Sequence, residues 1–171
     1  MNHTSTMHPG VSLRPMNDAD QPFLSRLYDS IREPELVGVD WTEEDRRRFL
    51  DLQFQAQHHH YIKYYETADF DIIEQDGQSI GRLYVDRGAS EIRIMDIALM
   101  PEVRGQGLGT RLLEELIAEA AADARKLTIH VEKQNPALQL YLRLGFQPIR
   151  ERDVYLLLSW SPTHSCEQVS A

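Results

Sequence analysis

Apolar residues along this chain change their period at Phe70. Before it, Phe23, Leu24, Leu27, Tyr28 and Ile31 recur at helical spacing, the stripe of a helix packed on a core. Asp18-Ala-Asp-Gln21 ahead of that stripe resembles a capping box, and Val11 to Arg14 reads as a short strand. Residues 32–41, punctuated by Pro34 and Gly38, predict a loop. Thr42 can cap a second helix whose first turn, Glu43-Glu44-Asp45, suits the positive end of the dipole. That helix carries two apolar stripes: Phe49, Leu52 and Ala56 on one, Leu50, Phe54, Tyr61 and Tyr64 on the other. Two apolar sides predict deep burial or a cavity along one of them.

From Phe70 the pattern is that of strands. Phe70 to Gln75 and Ser79 to Val85 flank Asp76-Gly77, a hairpin signal, and a second turn leads into Glu91 to Leu99. Short connections make these three strands an antiparallel meander, and Pro101 ends the third. Leu108, Leu112, Leu113, Leu116, Ile117, Ala120, Ala121 and Ala124 then form a continuous helical stripe. Lys126 to Val131 is another strand. Asn135 as N-cap, Pro136 at the first position and Gly145 at the close frame one more helix. Phe146 to Arg150 and Val154 to Ser159 finish the sheet. The order predicts an α+β domain with helices on a mixed sheet.

At 171 residues the chain suits one domain. Residues 1–10 and 161–171 read as flexible tails around a domain at 11–160. No apolar run reaches the length of a membrane helix, and no signal peptide is evident. The one cysteine, Cys166, excludes a disulfide framework. A cytoplasmic location is the default. The formal net charge of −9 argues against nucleic acid or an anionic membrane as partner. If a polyanion binds, it does so through a local site.

Gly105-Gln-Gly107-Leu-Gly109 offers one. A strand that feeds a glycine-rich turn and then a helix gathers main-chain N–H groups beside a helix N-terminus. Arg104 stands at its entrance and Arg111 one turn inside. A Walker A loop would end in Gly-Lys-Ser/Thr, and here Thr110 follows Gly109 with no lysine. A dinucleotide fingerprint spaces its third glycine one residue later and opens a parallel unit.

VRGQGLGTRLL, residues 103–113, resembles the acyl-CoA-binding motif of the GNAT superfamily of N-acyltransferases, with Arg104, Gly107 and Gly109 at its fixed positions. NPALQLYLRLGF, residues 135–146, is similar to the same family's strand-five and helix-four signature. The resemblance implies a mostly antiparallel sheet of about six to seven strands, flanked by about four helices. It implies that acetyl-CoA is the co-substrate, that its pantetheine arm pairs with Ile97, Ala98 and Leu99, and that its pyrophosphate lies on Arg104, Gly105, Gln106, Gly107, Leu108, Gly109 and Thr110. Asn135 and Tyr141 match positions that touch the cofactor. A homodimer is a family habit.

Acyl transfer needs a free amine and a proton for the departing sulfur. A lysine-like amine of pKa about 10.4 is neutral in about one molecule in 2,500 at pH 7, roughly 4.6 kcal/mol uphill, whereas an α-amine near 7.8 loses far less. A base is therefore expected. Tyr141 is the candidate general acid. His130, alternating with Thr128 and Glu132, is the candidate base, with Asp96 and Glu91 as carboxylate alternatives. His58-His59-His60 lacks the i, i+4 spacing of metal ligands, so no metal is expected. Phe54, Tyr61 and Tyr84 are candidate walls of an acceptor pocket. The acceptor is expected to be a primary amine of a small molecule or a peptide. A non-catalytic acyl-CoA-binding module is the competing reading.

Overall fold

A computed structural model describes residues 10–162; the expected tails, and Cys166, lie outside or at the margin of that range. Seven strands form one sheet in the order β1-β2-β3-β4-β5-β7-β6. They are β1 Val11–Pro15, β2 Asp69–Gln75, β3 Gln78–Arg87, β4 Glu91–Leu99, β5 Lys126–Glu132, β6 Gln147–Arg152 and β7 Tyr155–Trp160. The helices are α1 Gln21–Arg32, α2 Glu43–Tyr64, α3 Leu108–Ala122 and α4 Leu138–Arg143. Strand count, helix count and order agree with the sequence pattern. The fold divides into two compact units, one reaching Arg82 and including Ala98–Arg104, the other holding Leu83–Ile97 and the residues from Gly105 onward.

In the first unit β1 lies antiparallel to β2, from Val11↔Gln75 to Pro15↔Asp71. Arg14 ties the strands to the helix that follows. Its Nε donates to Glu74 at 2.7 Å, and its two Nη atoms donate to the buried Asp20 carboxylate at 2.7 and 2.8 Å. These bonds hold the Asp20 carboxyl below its ordinary range, against the cost of burial. The capping box sits one residue earlier than Asp18-to-Gln21. Asn17 accepts from the Ala19 amide while Asp20 accepts from the Asn17 amide, and a 3-10 turn at Asp18–Asp20 precedes α1. The core joins Phe23, Leu24 and Leu27 of α1 to Leu50 and Phe54 of α2, with Ile72 and Ala98.

Thr42 caps α2 as expected, accepting from the Asp45 amide at 3.1 Å. The two-stripe expectation for α2 fails: only Leu50 and Phe54 are buried, whereas Phe49, Leu52 and Tyr64 are exposed. A helix held by one narrow seam leaves Leu52 and Ala56 of its other side in solvent, while Phe49 packs edge-on against Trp41, centroids 5.0 Å apart. The β2–β3 hairpin turns on Asp76 and Gly77, whose φ of 51° and 79° fit a type I′ turn. At Gly81 an added Cβ would stand 2.4 Å from the Ala98 carbonyl oxygen, so β3 accepts no side chain there.

In the second unit, α3 buries Leu108, Leu112, Leu113, Leu116 and Ala120. Ala124 lies beyond its end with φ of 51°, a correction to the stripe. α4 starts at Leu138 rather than Pro136. Asn135 caps the preceding turn instead, its Oδ1 accepting from the Ala137 amide at 2.8 Å. The helix closes in a Schellman motif: Gly145 (φ 94°) donates to the Leu142 carbonyl and Phe146 to that of Tyr141, both at 3.1 Å. β5 and β6 both pair antiparallel to β7, and a register shift between Pro148 and Arg150 kinks β6.

Candidate active site

The glycine turn owes its composition to dihedral angles. Gly105 and Gly107 have φ of 73° and 82°, and a Cβ at either would meet nothing within 4 Å. Only glycine adopts that region without strain. Gly107 is the N-cap of α3 and offers no side-chain acceptor. The first helical bond is that of the Arg111 amide to the Gly107 carbonyl, so the amides of Leu108, Gly109 and Thr110 have no acceptor inside the helix. Three main-chain donors at the positive end of a helix of 15 residues suit a pyrophosphate. Gly109 sits within α3 and is not among the positive-φ glycines. Arg104 folds back on the strand that precedes it: its Nε donates to the Leu99 carbonyl at 2.8 Å.

β4 and β5 pair in parallel from Glu91↔Lys126 to Ile94↔Ile129, while β5 continues against β7 as far as Glu132↔Tyr155. Past Ile94 the β4–β5 ladder stops. Met95, Asp96 and Ile97 of β4 and His130 of β5 follow that point directly. Registered partners in a sheet face the same side, so Ile94 shares a face with Ile129, and His130 points to the other.

Tyr141 of α4 is buried and packs edge-on against Phe146, centroids 5.7 Å apart. Burial pushes its phenol well above the ordinary value, and the charge of Asp96 pushes it further. It is held protonated. His130 is exposed at the end of the ladder. Partial burial lowers its imidazole pKa, Arg93 and Arg150 lower it further, and Glu91 opposes them. It is neutral at pH 7. Glu91 itself accepts from Thr128 Oγ1 at 2.5 Å and from Arg93 at 3.2 Å. Burial raises its carboxyl, but those bonds outweigh burial and hold it low. Tyr141 and His130 therefore have separate charged neighbours, Asp96 for one and Arg93, Glu91 and Arg150 for the other. By alternation with Ile92, Ile94 and Ala98, Asp96 falls on the face opposite His130.

Two of the expected acceptor walls are core side chains. Phe54 is a core side chain with no exposure, packed on Tyr28 at 5.8 Å and stacked on His58 at 5.6 Å. Tyr84 is buried in β3. Tyr61 is half-buried on α2 against Tyr65. A cavity of about 250 Å³ between α1 and α2 is lined by Tyr28, Arg32, Leu36, Phe49 and Leu50, none of them the expected residues. Among the described residues no cluster of three or more histidine, cysteine or acidic side chains could hold a metal.

Residues 54–148 match the Acetyltransferase (GNAT) domain family. Over 124 residues the chain is 32% identical to a Bacillus subtilis (strain 168) protein provisionally named a ribosomal protein bS18-alanine N-acetyltransferase, spanning 70% of this chain and 81% of that one. The PaiA N-acetyltransferase of Thermoplasma acidophilum, solved in complex with coenzyme A, superposes with a TM-score of 0.66 at 17% identity, covering 88% and 98% of the two chains. A Salmonella typhimurium acetyltransferase that modifies the N-terminal serine of 50S ribosomal subunit protein L7/L12 superposes with a TM-score of 0.61 at 17% identity, covering 91% and 96%.

Proposed function

The chain belongs to the GNAT superfamily of N-acyltransferases, and we propose that it acetylates the α-amine of a peptide or protein N-terminus, with His130 as base and Tyr141 as donor to the departing thiol. It is an acetyltransferase whose co-substrate is acetyl-CoA, which supplies the acyl group as a thioester. One observation supports the mechanistic reading: the β4–β5 ladder stops after Ile94↔Ile129, with His130 next in β5 and Asp96, whose charge acts on the Tyr141 phenol, beyond the stop in β4 on the opposite face. An amine held beside His130 would add to the thioester carbonyl and give up its proton there, and the tetrahedral intermediate would then expel the sulfur toward Tyr141.

In that reading the main chain at Ile97, Ala98 and Leu99, beyond the end of the β4–β5 ladder, would bind the pantetheine arm. Arg104, Gly105, Gln106, Gly107, Leu108, Gly109 and Thr110 would hold the pyrophosphate, with Asn135 fixing the turn before Tyr141. The amine nitrogen bonds to the carbonyl carbon and gives its proton to His130, and the carbon–sulfur bond then breaks. A phenol pushed above about 10 is a weak acid toward a thiolate of about 8.5. Tyr141 therefore acts first as a hydrogen-bond donor to the sulfur as charge develops there. Overall, the proton lost by nitrogen is matched by one gained by sulfur.

The acceptor class is supported by the relative named for the alanine nitrogen of a ribosomal protein, and by proton arithmetic. An imidazole below its ordinary value can deprotonate an α-amine of about 7.8 far more readily than a lysine of about 10.4. The deciding experiment measures thiol release from acetyl-CoA with two lysine-containing peptides, identical except that one has its α-amine blocked. Turnover with the free α-amine alone is expected. Equal turnover with both would assign the lysine instead.

A further inference from the structure

Resting on the peptide α-amine reading, we propose that the face of the sheet around His130 selects acceptors carrying acidic residues just after the N-terminus, with Arg150 and Arg93 as the residues that read them. His130 registers with Leu157 on β7, and Leu157 with Arg150 on β6; the side chains of all three point to one side. Arg93 reaches the same side from β4, through its register with Thr128. Strands are about 4.8 Å apart, so the two guanidiniums flank His130 at the reach of the second and third residues of an acceptor held by its amine.

Charge on this face is unevenly satisfied. Glu91 is already engaged by Thr128 and Arg93, and the Arg93 side chain stays 41% exposed beside that pair. Arg150 is exposed and makes no ion pair among the described residues. Tyr155, 44% exposed, registers with Glu132 on that face and gives an extended chain an aromatic surface to lie on. In a protein of net charge −9 a cationic acceptor would be attracted almost anywhere, so two arginines beside the base are a local exception that a carboxylate fits. The kink in β6 between Pro148 and Arg150 is what turns Arg150 to this side.

The test compares kcat/KM for three peptides that share a free N-terminal alanine and carry aspartate, asparagine or lysine at positions two and three. Wild-type protein is expected to favour aspartate over lysine by about fivefold, the upper range for a solvent-exposed ion pair, with the ratio shrinking as salt is added. Arg150→Glu should invert the order, and Arg150→Lys should keep it. Equal rates for the three peptides, or an order unchanged in Arg150→Glu, overturns the charge assignment while the α-amine reading stands. No turnover of any peptide overturns both.

Discussion

Tyr141 and His130 owe their proposed roles to what surrounds them, and that makes their variants informative. Tyr141 loses only its hydroxyl in Tyr141→Phe, and the edge-on contact with Phe146 survives. kcat is expected to fall about a hundredfold, the lower range for loss of a positioned proton donor, with KM for acetyl-CoA nearly unchanged; an unaltered kcat would make Tyr141 a packing residue. His130 works only when deprotonated, and its pKa lies below the ordinary 6.5. kcat should therefore hold down to pH values below 6.5 and drop only as pH falls through the lowered value. His130→Gln should lose that acid limb along with most of the rate. His58 offers a contrast that concerns stability. It stacks on Phe54 and is lowered by burial, then by Arg82. In the unfolded chain it takes up a proton near 6.5 while the folded form resists, so the unfolded state binds more protons below that pH and stability falls. His58→Phe should reduce the loss in melting temperature between pH 7 and pH 5.5, read by circular dichroism.

Among elements, the glycines separate two causes that look alike in a sequence. Gly107 has a left-handed backbone and empty space around it, whereas Gly81 faces the Ala98 carbonyl at 2.4 Å. Gly107→Ala should cost about 1–2 kcal/mol from strain, raise KM for acetyl-CoA by turning the amides of the turn, and leave the fold intact. Gly81→Ala should instead disrupt the pairing of β3 with β4 and lower the melting temperature far more, with no selective effect on KM. Gly105 and Gly107 were legible as a turn of left-handed backbone leading into α3 because no side chain is needed to describe it. Alternation likewise puts His130 on one face with Thr128 and Glu132, and the β5–β7 register agrees. Periodicity failed where a helix meets only one neighbour: Phe49 and Leu52 scan as a stripe, yet Phe49 meets Trp41 at the surface and Leu52 stays exposed. Asn135 was legible as a cap but not as the cap of a turn three residues ahead of α4, because local hydrogen bonding serves both. Arg93 and Arg150 carried no signal at all. Their convergence depends on the β5–β7 register and on the kink in β6, neither of which local pattern encodes.

At the scale of the whole molecule, net charge and donor chemistry pull in opposite directions. A chain of charge −9 repels a polyanion at long range, so in the proposed site affinity for acetyl-CoA would come from short-range donors that salt screens little, the amides of Leu108, Gly109 and Thr110 among them. Those donors serve any pyrophosphate. What distinguishes coenzyme A from a dinucleotide is its arm, an extended amide chain that can pair with strand main chain where β4 leaves β5. A ligand that binds only the folded chain stabilises it by about 2.7 kcal/mol at a hundred times its dissociation constant. For a chain of this length each kcal/mol moves the melting temperature by about 2–4 °C, so saturating acetyl-CoA should raise it by roughly 5–10 °C. NAD has the pyrophosphate but no pantetheine, and at the same concentration it should leave the melting temperature within about 1 °C, since a fragment that makes few contacts binds far more weakly. An equal rise with NAD would mean that the turn alone accounts for binding and that the opening between β4 and β5 adds nothing to it.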